Sequence, residues 1–246
     1  MTNSVRQIVI WPSREIARKH DCLVIADTVT SLGGSELEVE AWGLDAVYSG
    51  SQKCLSCTPG LSPLTVSPRA MEKIAGRATP VQSWFLDLNL VMGYWSGEGK
   101  RSYHHTAPIN ALYGLHEALV ILAEEGIEQS WARHRSNHAA LVAGLEALGL
   151  SMLVDAPHRL PQLNAVRVPD TIDEARVRGR LLEEYNLEIG AGLGALAGKV
   201  WRIGLMGHAS RKENVLRVLG ALEALLADEG MTVGGGVAAA RAAYAG

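Results

Sequence analysis

The sequence predicts an α/β protein: a mostly parallel, incomplete sheet comes first and a small α+β domain follows. Three observations carry this. Short apolar runs bounded by charge alternate with helical stretches in the amino-terminal part. Two long segments with apolar residues at helical spacing then adjoin at Gly126. Beyond them, short strand and helix signals alternate again in a second, smaller unit.

The elements follow in order. Ser13 to His20 predicts a short helix. Cys22-Leu23-Val24-Ile25-Ala26, set between Asp21 and Asp27, predicts a buried strand of a parallel sheet. Asp45 to Ser49 and Leu64 to Ser67 predict two more. From Ala111 to Glu125, Leu112, Leu115, Leu119, Leu122 and Ala123 recur at helical spacing, and Gly126 is a helix stop. Ile127 to Leu148 predicts a second helix with Trp131, Leu141, Leu145 and Leu148 along it. Ala165 to Val168 predicts a strand, and Asp173 is a good cap for a helix running to Tyr185. Leu187 to Ile189 and Val200 to Ile203 predict strands, and Lys212 to Leu226 a final amphipathic helix. The glycine run after Met231 and the alanine-rich end predict a frayed tail. The expected organisation is therefore 1–125, 126–230 and a flexible 231–246.

Composition excludes several classes. Of 246 residues, 48% are hydrophobic and 20% charged, which allows a sizeable core and excludes disorder. With a single Phe, that core must rest on Leu, Ala, Val and Ile. A net charge of −3 leaves no basic excess to neutralise phosphates, so no nucleic-acid partner is expected. The richest apolar run, Ala118 to Ala123, is broken by Glu117 and Glu124, so no membrane span is expected. Three scattered cysteines argue against a disulfide framework and for a reducing compartment. Met1 to Gln7 lacks the pattern of a signal peptide, and the expectation is a cytoplasmic chain.

Two residues stand where an α/β sheet places its ligands, outside the carboxyl ends of strands. Asp27 ends the first apolar strand, and Lys53 follows the second in Ser49-Gly50-Ser51-Gln52-Lys53. Taken alone they fit an ordinary ion pair, a helix cap and a solvated lysine equally well. Their flanks say more. Asp27-Thr28-Val29-Thr30-Ser31-Leu32-Gly33-Gly34, Tyr48 to Lys53 and Thr58-Pro59-Gly60 together resemble class V aminotransferases, pyridoxal-phosphate enzymes of fold type I. The resemblance is to the alanine–glyoxylate, serine–glyoxylate and serine–pyruvate branch. It continues through Tyr103-His104-His105-Thr106-Ala107-Pro108, Gly126 to Trp131 and Arg202-Ile203-Gly204-Leu205-Met206-Gly207, and spans roughly Pro12 to Asp228.

That resemblance implies a partial fold-type-I large domain and a set of roles around pyridoxal 5′-phosphate. Lys53 is similar to the lysine that forms the internal Schiff base, since only a primary amine can exchange an imine with the substrate. Asp27 resembles the carboxylate that keeps the pyridine nitrogen protonated, so the ring can take up electrons. Gln52 falls where the family contacts the cofactor, and an amide can donate to a phosphate oxygen without adding charge. Ser51 shares that position, and turn capping is the plain alternative for both residues. Tyr103 and Thr106 resemble the pair that reaches the cofactor phosphate from the neighbouring subunit, which implies a homodimer. Arg202 resembles the clamp on the substrate carboxylate, a two-bond match of guanidinium to carboxylate; its alternative is an exposed strand arginine. The implied substrates are a small amino acid, alanine or serine, and a 2-oxo acid, glyoxylate or pyruvate.

His104 and His105 are expected to pack or hydrogen-bond, because adjacent histidines make a poor metal signal. Cys54-x-x-Cys57, directly after Lys53, is expected to be structural, and no metal is expected. None of the three cysteines stands where a desulfurase would carry its nucleophile. The family's large domain begins well before the position matching Pro12. The expectation is therefore an amino-terminally truncated chain that exposes core surface and binds the cofactor weakly or not at all. Two alternatives remain open from the sequence: an inactive remnant serving as a dimerisation or binding module, and another class V activity.

Overall fold

The computed structural model describes residues 10–95 and 102–245, so the stretch weighed above as a signal peptide lies outside it. Helix α1 (Ile10–Lys19) leads into β1 (Ile25–Asp27), which pairs in parallel with β2 (Ala46–Tyr48). Strand β3 (Leu64–Val66) returns antiparallel to β2, giving the order β1-β2-β3. Helix α2 (Pro68–Ala75) starts at once, because Pro68 suits a first helical turn and the Ser67 hydroxyl accepts the Ala70 N–H at 3.1 Å. Helix α3 (Leu88–Trp95) completes this part.

One buried carboxylate stitches the three strands. Asp45 is 1% exposed and accepts the Val24 N–H at 2.9 Å and the Ser67 hydroxyl at 3.1 Å. It also pairs with Arg69 at 3.0 Å and Arg18 at 3.5 Å. Burial favours the neutral acid, but these donors outweigh it and hold the carboxyl below its ordinary 3.8. Val24 is thereby drawn to Asp45, and strand pairing begins only at Ile25. The first strand also differs from its expected burial: Ile25 is 63% exposed. Among the described residues β1 has a neighbour on one side only, so its apolar run lies at the sheet edge.

Helices α4 (Ile109–Glu125) and α5 (Ile127–Ala147) meet at Gly126. A four-stranded antiparallel sheet follows, ordered β4-β5-β7-β6, from β4 (Ser151–Met152), β5 (Leu163–Arg167), β6 (Gly190–Ala191) and β7 (Val200–Gly204). Helices α5, α6 (Glu174–Tyr185) and α7 (Lys212–Asp228) share one core with it. Leu141, Leu145, Leu181, Trp201, Leu219 and Leu222 are all fully buried in that core. Each such side chain contributes about 1.5–3 kcal/mol of apolar burial.

Two segments depart from the sequence expectation. Leu187 to Ile189 is not a strand. Asn186 closes α6 in the left-handed region, the Leu187 N–H bonds back to Leu181, and Ile189 turns into the core. Pairing with β7 starts at Gly190. The carboxyl-terminal tail is not frayed: α8 (Gly236–Ala243) packs along α5 and α7, with Ala240 fully buried. Its small side chains permit the close approach, Glu223 accepts the Gly236 N–H at 3.0 Å, and the Tyr244 hydroxyl donates to Asn137 at 2.6 Å. Tail-like composition thus encodes a docked helix.

Candidate functional site

The parallel pairing of β1 and β2 sets Asp27 opposite Tyr48, so the segments that follow both strands leave from the same sheet edge. Four bonds then tie the segments to each other. Thr28 donates to the Tyr48 carbonyl through both its N–H and its Oγ1, at 2.9 Å each, Ser49 Oγ donates to the Thr28 carbonyl at 2.9 Å, and Cys54 Sγ donates to the Thr30 carbonyl at 3.2 Å. The Asp27 carboxylate is exposed and is oriented by the Val29 N–H at 2.9 Å. The Tyr48 hydroxyl donates to it, which raises that phenol above its ordinary 10.0.

Lys53 sits half-buried at the head of a tight turn. Its carbonyl accepts the Ser56 N–H at 3.0 Å, and Ser56 adopts a left-handed φ of 60°. The Lys53 side chain makes no hydrogen bond or ion pair among the described residues. Ser51 is fully buried and bonds the Thr58 carbonyl at 2.6 Å, so here it closes the turn. Gln52 is exposed and folds over Gly50, where an added Cβ would stand 2.7 Å from its Oε1. Cys54 is buried, and burial pushes its thiol up to about 11. It is therefore a neutral packing thiol in this environment.

The second sheet reaches this turn from the other side. Gly207, in the bend after β7, has a φ of 53° and lies with its backbone on the Cys54 carbonyl and the Ser56 hydroxyl. The His208 N–H donates to Ser56 Oγ at 2.8 Å. The Asp27 side is held too: Ser130 Oγ bonds the Gly33 carbonyl at 2.7 Å, and Gln162 Nε2 bonds Ser35 Oγ at 2.7 Å. Gly34 lies between them, and a Cβ there would stand 2.6 Å from Gln162 Nε2 and 2.7 Å from Cys54 Sγ. Arg202, on β7, is half-buried with its Nε bonded to the Ala191 carbonyl at 2.7 Å. That bond fixes one edge of the guanidinium beside Gly190.

Tyr103 and Thr106 are exposed and bond to each other through their hydroxyls. Their segment is anchored by His104, which stacks on Trp84 at 4.1 Å and bonds the Trp84 carbonyl at 3.0 Å and His105 at 2.7 Å. Among the described residues, no hydrogen bond joins Tyr103 or Thr106 to the Lys53 turn. The structure therefore brings Asp27, Gln52 and Lys53 to one edge, sets Arg202 on a strand whose following bend seats on the lysine turn, and leaves Tyr103 and Thr106 apart from them.

Sequence reasoning missed Tyr48, and it missed the residues of α5 that hold the Gly207 bend. Arg133 donates to the Gly207 and Ser210 carbonyls at 2.8 Å each and forms a two-bond pair with Glu125. His134 accepts the Gly207 N–H at 3.0 Å. Adjacent titratable side chains within an otherwise core-facing helix were the available signal. Among the described residues, no cluster of His, Cys, Asp and Glu could hold a metal ion, and no helix is long and apolar enough to cross a membrane.

A half-buried lysine in the turn after β2, its side chain unpartnered among the described residues, and an oriented carboxylate at the end of β1 fit the aldehyde and the ring nitrogen of a pyridine cofactor. Comparison with known proteins defines the class. The aminotransferase class-V family model matches residues 9–218, and the chain belongs to that family. Pyridoxal 5′-phosphate is the cofactor that this family and its structural relatives imply. The chain is 41% identical over 230 residues to the (S)-ureidoglycine–glyoxylate transaminase of Bacillus subtilis, covering 86% of itself and 55% of that protein. It is 43% identical over 214 residues to the alanine–glyoxylate aminotransferase of Callithrix jacchus, covering 86% of itself and 52% of that protein. Among solved structures, the Nostoc alanine–glyoxylate aminotransferase superposes with a TM-score of 0.87 at 49% identity, covering 91% of this chain and 59% of that one. The Bacillus subtilis ureidoglycine–glyoxylate aminotransferase gives 0.93 at 39% identity, covering 99% and 63%. The chain thus spans about half the length of the curated relatives it matches.

Proposed function

We propose that this chain carries the lysine, aspartate and arginine of a transaminase that moves an amino group from a small amino acid, alanine or serine, to glyoxylate or pyruvate. The observation that supports this best is the four-bond tie between the Asp27 and Lys53 segments. It preorganises an amine and a carboxylate at one sheet edge. Pyridoxal phosphate, when bound, supplies an aldehyde for amine exchange and a ring that accepts electrons.

The chain's own residues do the rest. Lys53 Nζ would hold the cofactor at its aldehyde and, when free, would serve as the base that takes the proton from the substrate α-carbon and as the acid that gives it back. Asp27 holds a proton on the ring nitrogen, and the Val29 and Tyr48 donors keep its carboxylate aimed. Gln52 offers an amide donor to the phosphate. Arg202 presents its remaining N–H groups to the substrate carboxylate while Ala191 holds the Nε edge. The division near Gly126 into a cofactor-bearing and a substrate-clamping unit belongs to the same proposal. So does a second copy of the chain placed against the exposed Tyr103 and Thr106, beside the exposed Trp84 and Phe85.

The test is covalent trapping. The purified chain is incubated with pyridoxal phosphate, reduced with borohydride and digested, and the modified lysine is located by mass spectrometry. Modification concentrated at Lys53, lost in Lys53→Ala and reduced in Asp27→Ala, supports the proposal. Modification scattered over surface lysines and unchanged by either substitution overturns it. Amino-donor and acceptor panels then separate alanine from serine and glyoxylate from pyruvate.

A further inference from the structure

The bend that seats on the lysine turn hangs from a buried histidine with no place in the proposed chemistry. His134 is fully buried on α5. Its Nε2 receives the Gly207 N–H at 3.0 Å, and its Nδ1 lies 2.7 Å from the Ser130 carbonyl. A backbone N–H can only donate and a carbonyl can only accept. The ring must therefore be neutral, with its proton on Nδ1. From there the path to the lysine is short. Gly207 rests on Cys54 O and Ser56 Oγ, His208 N–H donates to Ser56 Oγ at 2.8 Å, and Ser56 N–H donates to the Lys53 carbonyl at 3.0 Å.

We infer that His134 is a positioning residue for Lys53: its neutral ring holds the Gly207 bend against the turn that presents the amine, and its protonation releases that hold. This rests on the role proposed above for Lys53. A proton added to Nε2 would set one N–H against another at hydrogen-bond distance, in a site closed to solvent. The other supports of the bend, Arg133 to the Gly207 and Ser210 carbonyls and Asn137 Nδ2 to the Ser210 carbonyl at 2.9 Å, carry no proton that leaves or arrives near neutrality. The charged and titratable groups around the contact are Arg133 and Glu125, paired with each other, His208 and Arg211 from the bend, and Cys54 and Lys53 from the lysine turn. Of these only His208 is also an imidazole. It is exposed and engages Ser56 through its backbone, so a His208→Gln variant separates the two histidines.

The experiment has two arms on the full chain. In the first, without cofactor, hydrogen exchange is followed in peptides covering Cys54–Ser56 and Gly207–Ser210 from pH 8 to pH 5, corrected for intrinsic rates. Protection should fall about tenfold toward acid in the wild type and in His208→Gln, the worth of one buried hydrogen bond. It should stay flat in His134→Gln, whose Oε1 can accept the Gly207 N–H but does not titrate, and be low at every pH in His134→Leu. In the second arm, borohydride-trapped pyridoxal phosphate at Lys53 should show the same pH profile in wild type and lose it in His134→Gln. A flat exchange profile in the wild type, or one unaltered in His134→Gln, overturns the inference whatever the trapping shows. Normal exchange behaviour with no Lys53 adduct at any pH overturns instead the role proposed for Lys53, and the positioning role falls with it.

Discussion

Gly207→Ala probes the contact on which the two halves of the site meet. Two costs arise, and they can be separated. The first is conformational: Gly207 has a φ of 53°, and an alanine in that region costs about 1–2 kcal/mol. The second is steric: the added methyl would stand 2.0 Å from Ser56 Oγ and 2.6 Å from the Cys54 carbonyl oxygen. A hydroxyl can rotate away, but a backbone carbonyl in a bonded turn cannot, so overpacking adds about 1–3 kcal/mol. Gly230 supplies the control. Its φ is 85° and nothing lies within 4 Å of the position a Cβ would take. Gly230→Ala should therefore show the conformational cost alone. In thermal and urea unfolding, Gly207→Ala should lose about 2–5 kcal/mol, which for a chain of this size lowers the midpoint by about 5–15 °C. Gly230→Ala should lose about 1 kcal/mol. Equal losses in the two variants would show that the Gly207 bend does not press on the lysine turn, and would refute the reasoning.

Three further outcomes are expected. Asp45→Asn removes the charge that Arg69 and Arg18 address from a 1%-exposed site and should cost about 3–5 kcal/mol in urea unfolding. His134 and His138 are both held below their ordinary 6.5, mainly by burial, while His138 Nδ1 bonds Asn164 Oδ1 at 2.6 Å. The unfolded chain then binds protons that the folded chain refuses, so stability is complete above 6.5 and falls as the pH drops below it, by up to about 1.4 kcal/mol per pH unit for each histidine. Melting curves between pH 8 and pH 5 check this, and a midpoint independent of pH in that window would contradict it. Tyr244→Phe removes the bond that ties the end of α8 to Asn137 and should cost about 1 kcal/mol by the same unfolding assay.

What the sequence disclosed divides along physical lines. The long helices α4, α5 and α7 were legible because their apolar spacing repeats over several turns, and α6 because Asp173 caps it. Burial of β1 was misread because a strand's apolar run reports what it can bury against, while the number of its neighbours is a property of the whole sheet. Leu187 to Ile189 misled for a related reason: three apolar residues after a helix serve equally to close it into the core or to enter a ladder. The tail misled because alanine and glycine, read locally, signal fraying, whereas small side chains are also what lets α8 lie close on α5. The placement of Asp27 at a strand end and of Lys53 past the next strand was legible from local strand-to-turn patterns, and the parallel pairing of β1 and β2 follows from the fold class, while the roles proposed for them come from the resemblance of their flanks.

The Gly207 bend escaped the sequence reading for a deeper reason. Its grip on the lysine turn is made of backbone atoms, a left-handed glycine and one imidazole tautomer, none of which has a sequence pattern. The same features make it the point where small changes reach the site. The Lys53 turn has no helix or strand of its own. It borrows its order from Thr30 through Cys54, from the Ser51–Thr58 bond, and from the bend through Ser56. The first two are local to the half that carries Asp27, while the third comes from the half that carries Arg202. The transaminase proposed above would gain from this shared support. Anything that shifts β7 moves Arg202 and the bend together, so under that proposal the distance between the Lys53 amine and a carboxylate held by Arg202 would change less than either moves alone. Double substitution of Arg133 and Asn137, the two non-titrating supports, should therefore perturb Lys53 trapping more than the sum of the single substitutions, because each alone leaves the other holding the bend. Strict additivity in that cycle would mean that Arg133 and Asn137 act on Lys53 independently of each other, and would refute shared support of the bend.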